Sequence, residues 1–325
     1  MPNRLSEDLP HMPNLPPIIF MGTPHFALPS LEGLISAQAP VALVVTQPDR
    51  PSGRGKKVTP SPVKLFALEK GIPLFQPNRL RGEGVVEHLK SFQAQCAVVV
   101  AYGQILPRKV LDCFPMGVIN VHASLLPAYR GAAPIQHALL AGEPMTGVSI
   151  MLLDEGMDTG PVLAKEDLPI GPGDNAGSLH EKLSILGAEL LISTLEKWVA
   201  GRMEPWVQDD ALATHAPPIT KEQLRIPWWE SAERIVNRIR AFDPFPGAHA
   251  LLDQKRVKFF DAALLKWIGE GSPGELVGPS EEGLVILGGD GRALAVGMLQ
   301  LEGQRRLKAE EFLRGRSMLS GSRFE

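Results

Sequence analysis

Asn120 and His122 stand two positions apart at the end of the apolar run Gly117-Val118-Ile119, so in an extended strand their side chains fall on the same side. One face at a strand end then carries an amide and an imidazole. Ser124-Leu125-Leu126-Pro127 follows, a short segment where the backbone leaves the sheet, and after it comes Arg130-Gly131-Ala132-Ala133-Pro134. Further along, Asp154-Glu155-Gly156-Met157-Asp158-Thr159-Gly160 reads as a glycine-bounded turn able to present an acid. Acyl transfer from a formamide to an amine passes through a tetrahedral intermediate whose oxygen gains negative charge, and the amine's proton must go somewhere. An asparagine amide can donate to that oxygen, and a histidine can donate or relay the proton. An aspartate beside the histidine would fix its orientation and favour its charged form. Those three residue types need neither a metal nor a covalent intermediate. Taken alone, an Asn-x-His pair at a strand end also suits a hydrogen-bonded turn, and aspartates in glycine-rich segments are turn formers. His25, His88, His137, His180, His215 and His249 are isolated in the sequence and read as surface or core residues.

The elements that must hold the pair are compact. Ile18-Ile19-Phe20-Met21 ends in Gly22, and Phe26, Leu28, Leu31, Leu34 and Ile35 follow at roughly helical spacing, which reads strand, turn, helix. Val41 to Val45, Val98 to Ala101 and Val118 to Val121 are further β-branched runs, separated by segments such as Val85 to Phe92 that suit helices. This alternation predicts an α/β, doubly wound, mostly parallel Rossmann-like sheet whose ligand lies beyond the carboxyl ends of the strands. Ser178 and Glu181, at capping-box spacing, open a helix with Leu179, Leu183, Leu186 and Leu190 on one face. From Gly201 to Pro227 the chain has Trp, Pro and scattered charges without a period, the mark of a linker. Beyond it, a helix with Ile235, Ile239 and Phe242 precedes short runs at Val257 to Phe260, Leu284 to Leu287 and Leu294 to Val296, the last two joined by Gly288-Gly289-Asp290-Gly291. These predict a smaller C-terminal OB-like β-barrel or an open sheet. The expected divisions are a flexible extension over 1–17, a catalytic domain over 18–204, a linker over 205–222 and a second domain over 223–325.

With 325 residues and 44% hydrophobic side chains, the chain can build one α/β domain plus a smaller one. The net charge of −3 excludes a polycation that would coat any nucleic acid it met, so contacts to RNA must be local. Cys96 and Cys113 have no zinc-type spacing, which predicts no structural metal and fits a reducing cytoplasm. No run approaches 18 apolar residues, so no membrane span is expected. One local imbalance stands out. Between Arg50 and Arg81 lie eight basic residues, Arg50, Arg54, Lys56, Lys57, Lys64, Lys70, Arg79 and Arg81, against Glu69 as the sole acid. Its densest part, Pro51 to Lys57, is a glycine-rich loop after the second strand and an attractor for phosphates.

Taken together and in order, Met21-Gly22-Thr23-Pro24-His25-Phe26, Thr46-Gln47-Pro48-Asp49-Arg50-Pro51, Gly53-Arg54-Gly55-Lys56-Lys57, Ala101-Tyr102-Gly103, Asn120 to Pro127, Arg130 to Pro134 and Asp158-Thr159-Gly160 resemble the methionyl-tRNA formyltransferase family. Arg240 to Gly247 resembles the start of that family's second domain. The resemblance implies that Asn120, His122 and Asp158 form a catalytic triad, that Ser124, Leu125, Leu126 and Pro127 border tetrahydrofolate, and that Arg54, with Lys56 and Lys57 beside it, approaches the acceptor end of tRNA. Tyr102, with Val100 and Leu106, would line a slot for the pterin ring. The implied donor is 10-formyltetrahydrofolate, the implied acceptor is methionyl initiator tRNA, and a monomer fits. Ala123 departs from the family's preferred Gly, His or Pro, on the side of the strand away from the reacting face. Arg305, Arg306 and Lys308 are candidates for a second phosphate contact.

Four other readings account for less. An amino sugar nucleotide or another small amine would use the same triad but has little use for the basic loop. A hydrolase that releases formate needs an activated water in place of the amine. A dinucleotide-dependent oxidoreductase is contradicted by Gly22-Thr23-Pro24-His25, which lacks the Gly-x-Gly-x-x-Gly pattern. A non-catalytic RNA-binding protein leaves the Asn120, His122 and Asp158 set unexplained.

Overall fold

The computed structural model describes Met12 and residues 15–52, 57–314 and 322–325. Most of the expected flexible extension therefore lies outside the described residues. Met12 itself is buried, and its N–H donates to Ala37 O at 2.7 Å.

The chain opens with β1 (Ile18–Gly22), α1 (Leu28–Ser36), β2 (Val41–Val45), β3 (Arg50–Ser52), β4 (Lys57–Thr59), α2 (Pro62–Glu69), β5 (Leu74–Phe75) and α3 (Val85–Lys90). It continues through β6 (Cys96–Val100), α4 (Arg108–Leu111), β7 (Val118–His122), α5 (Pro134–Ala141), β8 (Met145–Leu152), β9 (Val162–Pro169) and α6 (Ala176–Val199). Seven strands form one sheet in the order β5-β2-β1-β6-β7-β8-β9. Five of them, from β5 to β7, run parallel, and β8 pairs antiparallel with β7. From β1 the connections run outward to β2 and β5 on one side and to β6 and β7 on the other, which is the expected doubly wound reversal.

β1, β6 and β7 are buried at all five positions, as expected of central parallel strands covered on both faces. One packed cluster joins Ile19, Met21, Leu43, Val45, Val99 and Val118 of the strands to Val85, Leu89 and Val110 of the helices. Each such fully buried aliphatic side chain stabilises the fold by about 1.5–3 kcal/mol. Gly22 is needed for close approach at the first turn, because a Cβ there would meet Ala27 Cβ at 2.8 Å and Val100 O at 3.1 Å. α2 is capped by Ser61, whose hydroxyl accepts from Lys64 N at 3.1 Å, with Pro62 in the first helical position.

α6 starts earlier than expected. Asn175 is its cap, with Oδ1 accepting from Ser178 N at 2.9 Å while Ser178 Oγ accepts from Asn175 N at 3.1 Å. Ser178 is thus the third residue of a reciprocal capping box rather than the cap of one with Glu181. Asn175 precedes the apolar stripe, and periodicity alone did not mark it.

The remaining elements are α7 (Ala232–Phe242), β10 (Ala248–Leu252), β11 (Lys255–Ile268), β12 (Leu276–Ser280), β13 (Gly283–Leu287), β14 (Arg292–Leu301), β15 (Leu307–Lys308) and α8 (Ala309–Arg314). Ile235, Val236, Ile239 and Phe242 form the buried face of α7. The strands pair antiparallel in the order β10-β11-β14-β13-β12, with β15 on β14. This is the expected strand-rich second part in its open form. No pairing joins β10 to β12 among the described residues, so no closed barrel forms. Trp228, Phe259 and Phe324 meet in its core, the two phenylalanine rings edge to face at 5.0 Å.

By compactness the chain divides into two units. One holds residues up to Gly131, Thr146–Leu168 and His180–His215, and the other holds Ala132–Met145, Pro169–Leu179 and residues from Ala216 onward. No helix among the described residues is long and apolar enough to cross a membrane.

Candidate active site

β7 carries Asn120 and His122 on one side of the strand, as two-residue spacing requires. Its register places Asn120 opposite Met151 and His122 opposite Ser149 of β8, and Asn120 beside Val99 of β6. Both residues are nearly buried, at 8% and 6% exposure. The imidazole is held from two directions. Nε2 lies 3.0 Å from Tyr129 O, and Nδ1 lies 3.6 Å from Asp158 Oδ2. A carbonyl only accepts, so Nε2 carries the proton in that contact. The distance from Nδ1 to the carboxylate is too long for a direct hydrogen bond and becomes an ion pair when the ring is charged.

The turn between β8 and β9 settles which acid faces the histidine. Asp154 folds the turn, with Oδ1 accepting from Gly156 N at 3.0 Å and from Thr159 Oγ1 at 2.8 Å. Asp158 is the acid that reaches His122, and its Oδ2 also accepts from Gly131 N at 2.8 Å. Its φ of 55° is left-handed, a conformation rare for residues other than glycine and tolerated best by Asn and Asp.

Asn120 makes no side-chain hydrogen bond to another described residue. A mostly buried amide with open donors is what an oxyanion of an acyl-transfer reaction requires, so the residues present fit a formyl donor.

The segment that follows is pinned from beneath. Ser149 Oγ donates to Ser124 O at 2.7 Å and accepts from Leu126 N at 3.0 Å, both contacts buried. Ser124 Oγ donates to Ala128 O at 2.6 Å. The Leu126 side chain packs with Met151 and Val162. Lys165 Nζ donates to Leu126 O and lies 5.9 Å from the centre of the Trp206 ring. Burial pulls its amine below the usual lysine value. Leu125 and Pro127 remain half-buried.

Tyr102 packs in the core. Its ring is 1% exposed within the core cluster, its hydroxyl has no partner among the described residues, and burial pushes the phenol up to about 12. What Tyr102 offers beyond the core is its carbonyl, which accepts from Thr23 Oγ1 at 2.9 Å and from Gln47 Nε2 at 3.3 Å. Val100 and Leu106 are buried as well.

Arg54 and Lys56 lie outside the described residues. β3 and β4, antiparallel with Arg50 opposite Thr59, flank them, and Lys57 is the first residue of β4. Among the other cations of this stretch, Lys64 pairs with Asp49 at 2.6 Å and Lys70 with Glu69 at 3.1 Å, whereas Arg79 and Arg81 are exposed. Hydrogen bonds from Lys64 and Gln76 hold the Asp49 carboxyl below its usual range. Near the C-terminus, Arg306 stacks 3.3 Å over the Phe260 ring and donates to Pro244 O at 2.8 Å, while Arg305 and Lys308 are exposed.

Sequence reasoning did not single out Ser149 or Gln208. Ser149 had a signal, a hydroxyl inside the run Val148-Ser149-Ile150-Met151, since a buried polar group needs a partner. Gln208 sits in the stretch read as linker, yet it is buried and bonded to Asp158. No group of three or more His, Cys, Asp or Glu side chains able to hold a metal ion occurs among the described residues.

Asn120, His122 and Asp158 meet at the end of β7 in an α/β sheet, an arrangement of types that acyl transfer can use, and the family comparisons give the chain's class a name. A family described as "Formyl transferase" matches residues 17–195, and "Formyl transferase, C-terminal domain" matches residues 218–317. The chain is 45% identical over 306 residues to "Methionyl-tRNA formyltransferase" of Geobacter metallireducens, covering 94% of this chain and 97% of the relative. It is 46% identical over 308 residues to the protein of that name from Aromatoleum aromaticum, covering 95% and 96%. It belongs to the methionyl-tRNA formyltransferase family. Among solved structures, WlaRD, "a sugar 3N-formyl transferase in the presence of dTdp and 5-N-Formyl-THF", is similar with TM-score 0.66 and 18% identity over 90% of this chain and all of that one. HypX from Aquifex aeolicus "in complex with Tetrahydrofolic acid" gives 0.62 and 18%, covering 91% of this chain and 46% of that one. At that identity these two speak for the fold alone.

Proposed function

We propose that the chain transfers the formyl group of 10-formyltetrahydrofolate to the free amino group of the methionyl moiety on initiator tRNA, for translation initiation. The observation that carries this is the 45% identity to methionyl-tRNA formyltransferases over nearly the whole of both chains.

In this reading Asn120 donates its amide hydrogen bond to the formyl oxygen as charge develops there. His122 moves the proton that the amine loses and the departing nitrogen of the donor gains. Asp158 holds the imidazole at the angle this requires. Ser124, Leu125, Leu126 and Pro127 border the folate, and the Ser149 hydroxyl keeps that segment in one conformation. Tyr102, with Val100 and Leu106, lines the slot for the pterin ring. Arg54, Lys56 and Lys57 contact phosphates near the acceptor end of the tRNA; such contacts orient the substrate and carry no sequence information by themselves. The catalytic part spans 18–204, the linker 205–222 and the tRNA-binding part 223–325. The enzyme works as a monomer in the cytoplasm, where its acceptor is found.

The test supplies purified protein with labelled formyl donor and, separately, methionyl initiator tRNA, methionyl elongator tRNA, an amino sugar nucleotide and glycinamide ribonucleotide. Label on the initiator tRNA is expected. Label on a small amine alone, or formate released at the same rate without any amine, would overturn the proposal.

A further inference from the structure

Asp158 is held at both of its ends by one ring of hydrogen bonds, and a single glutamine closes that ring. Gln208 Nε2 donates to Asp158 O at 2.8 Å and to Gly160 O at 2.7 Å. Its Oε1 accepts from Arg130 Nε at 3.1 Å and from Arg130 Nη2 at 2.9 Å. The amide thus uses both donors and both acceptor lone pairs. Its orientation has one solution, since a flipped amide would set its NH2 against the guanidinium and its oxygen against two carbonyls. The Arg130 side chain is 4% exposed, and its Nη2 also donates to Asp210 Oδ1 at 2.8 Å. Asp210 is 84% exposed, so the arginine's dependable partner is the amide.

The backbone around Arg130 completes the ring. Gly131 N donates to Asp158 Oδ2 at 2.8 Å, and Tyr129 O meets His122 Nε2 at 3.0 Å. The segment 129–131 therefore touches the imidazole with one residue and the carboxylate with another. The arginine between them reaches the main chain of Asp158 through Gln208. Asp158 sits at φ 55°, where an L residue pays a steric penalty unless its surroundings hold it. Neighbours in the turn bond to Asp154, whereas the contacts to Asp158 come from Gly131 and Gln208.

We propose that Gln208, held by Arg130, is a positioning residue for the formyl-transfer reaction: it fixes the left-handed backbone of Asp158, and so the place of the carboxylate opposite His122. It touches no reacting atom. The proposal rests on the reading of Asp158 as a member of the triad. A carboxylate displaced by about 1 Å costs on the order of 100-fold in rate, so Gln208→Ala should lower kcat by about 10- to 100-fold. KM for the formyl donor and for tRNA should stay within about threefold, because nothing that binds either is removed.

Three variants with the purified enzyme, Gln208→Ala, Gln208→Glu and Asp158→Ala, and the double variant Asp158→Ala/Gln208→Ala test it. Gln208→Glu keeps the acceptors for Arg130 and adds an ion pair to it, while both donors to the turn are lost. A low kcat in Gln208→Glu, matching Gln208→Ala, is therefore expected, and a normal kcat would mean that bracing Arg130 is all the side chain does and would overturn the proposal. The double variant should be no slower than Asp158→Ala alone, because the glutamine acts through the aspartate. Multiplying losses would place Gln208 elsewhere and overturn the proposal. Near-normal turnover in Asp158→Ala would instead overturn the triad reading itself, and with it this inference. A slow Asp158→Ala beside a normal Gln208→Ala would leave the triad standing and remove only the glutamine's role.

Discussion

Ser149→Ala removes one oxygen atom and separates two roles that the structure combines in it. The hydroxyl donates to Ser124 O and accepts from Leu126 N, and both backbone groups are buried. Each hydrogen bond contributes about 1 kcal/mol net, and a buried group left without a partner costs about 1–3 kcal/mol. The loss of both comes to about 2–4 kcal/mol, which lowers Tm by roughly 5 to 15 °C for a unit of this size. Ser184 supplies the control. It is similarly buried, but its hydroxyl donates to Glu181 O within its own helix, a backbone oxygen that the helix ladder can still use, so Ser184→Ala should cost about 1 kcal/mol or less. The freed Ser124–Pro127 segment should also bind folate less well, raising KM for the formyl donor severalfold while KM for tRNA stays unchanged. Urea unfolding and initial rates with each substrate varied in turn measure both. If Ser149→Ala is no less stable than Ser184→Ala and its folate KM is unchanged, the hydroxyl does not hold the segment and the reasoning fails.

Three further outcomes follow from the site and its surroundings. Asn120→Ala should reduce kcat by about 10²- to 10³-fold, the usual loss of one oxyanion donor, in single-turnover assays with methionyl-tRNA; a loss under threefold would remove the amide from the mechanism. Arg54→Ala should raise KM for tRNA and leave folate binding intact, and the difference should shrink as salt rises because phosphate contacts are screened. Equal weakening of folate would place that side chain elsewhere. His249 is held below the usual imidazole value by burial first and then by Arg256, Lys258 and Arg225. The unfolded chain therefore binds the proton more readily, so this stability is complete above pH about 6.5 and is lost as pH falls through the lower folded value. His249→Gln should flatten the decline of the unfolding midpoint between pH 7 and pH 5, and an unchanged slope would mean that the half-buried ring is not the source.

What could be read in the sequence, and what could not, divides along a physical line. β1, β2, β6 and β7 are central strands whose continuous apolar runs announce themselves, and two-residue spacing alone placed Asn120 and His122 on one side. β12 was hidden because Leu276-Val277-Gly278-Pro279-Ser280 contains the two residues that argue against a strand. β8 was hidden by Gly147 and Ser149. The first is there because a Cβ would come within 2.2 Å of Glu166 O, the second because it holds the segment after His122. The glycine-rich turn offered three acids with equal claims by residue type. The choice of Asp158 came from family resemblance, and its geometric cause is a hydrogen bond from Gly131 N, 27 residues away. Gln208 is the extreme case. Its partners lie 48, 50 and 78 residues distant, and all but the Arg130 side chain are backbone carbonyls. Backbone groups have no residue type to betray them, so a side chain that acts on them leaves no motif. Periodicity reports which face of an element is dry; the polar atoms that fix Asp158 in its left-handed turn come from wherever the chain happens to pass, and here that is a stretch whose composition reads as a linker.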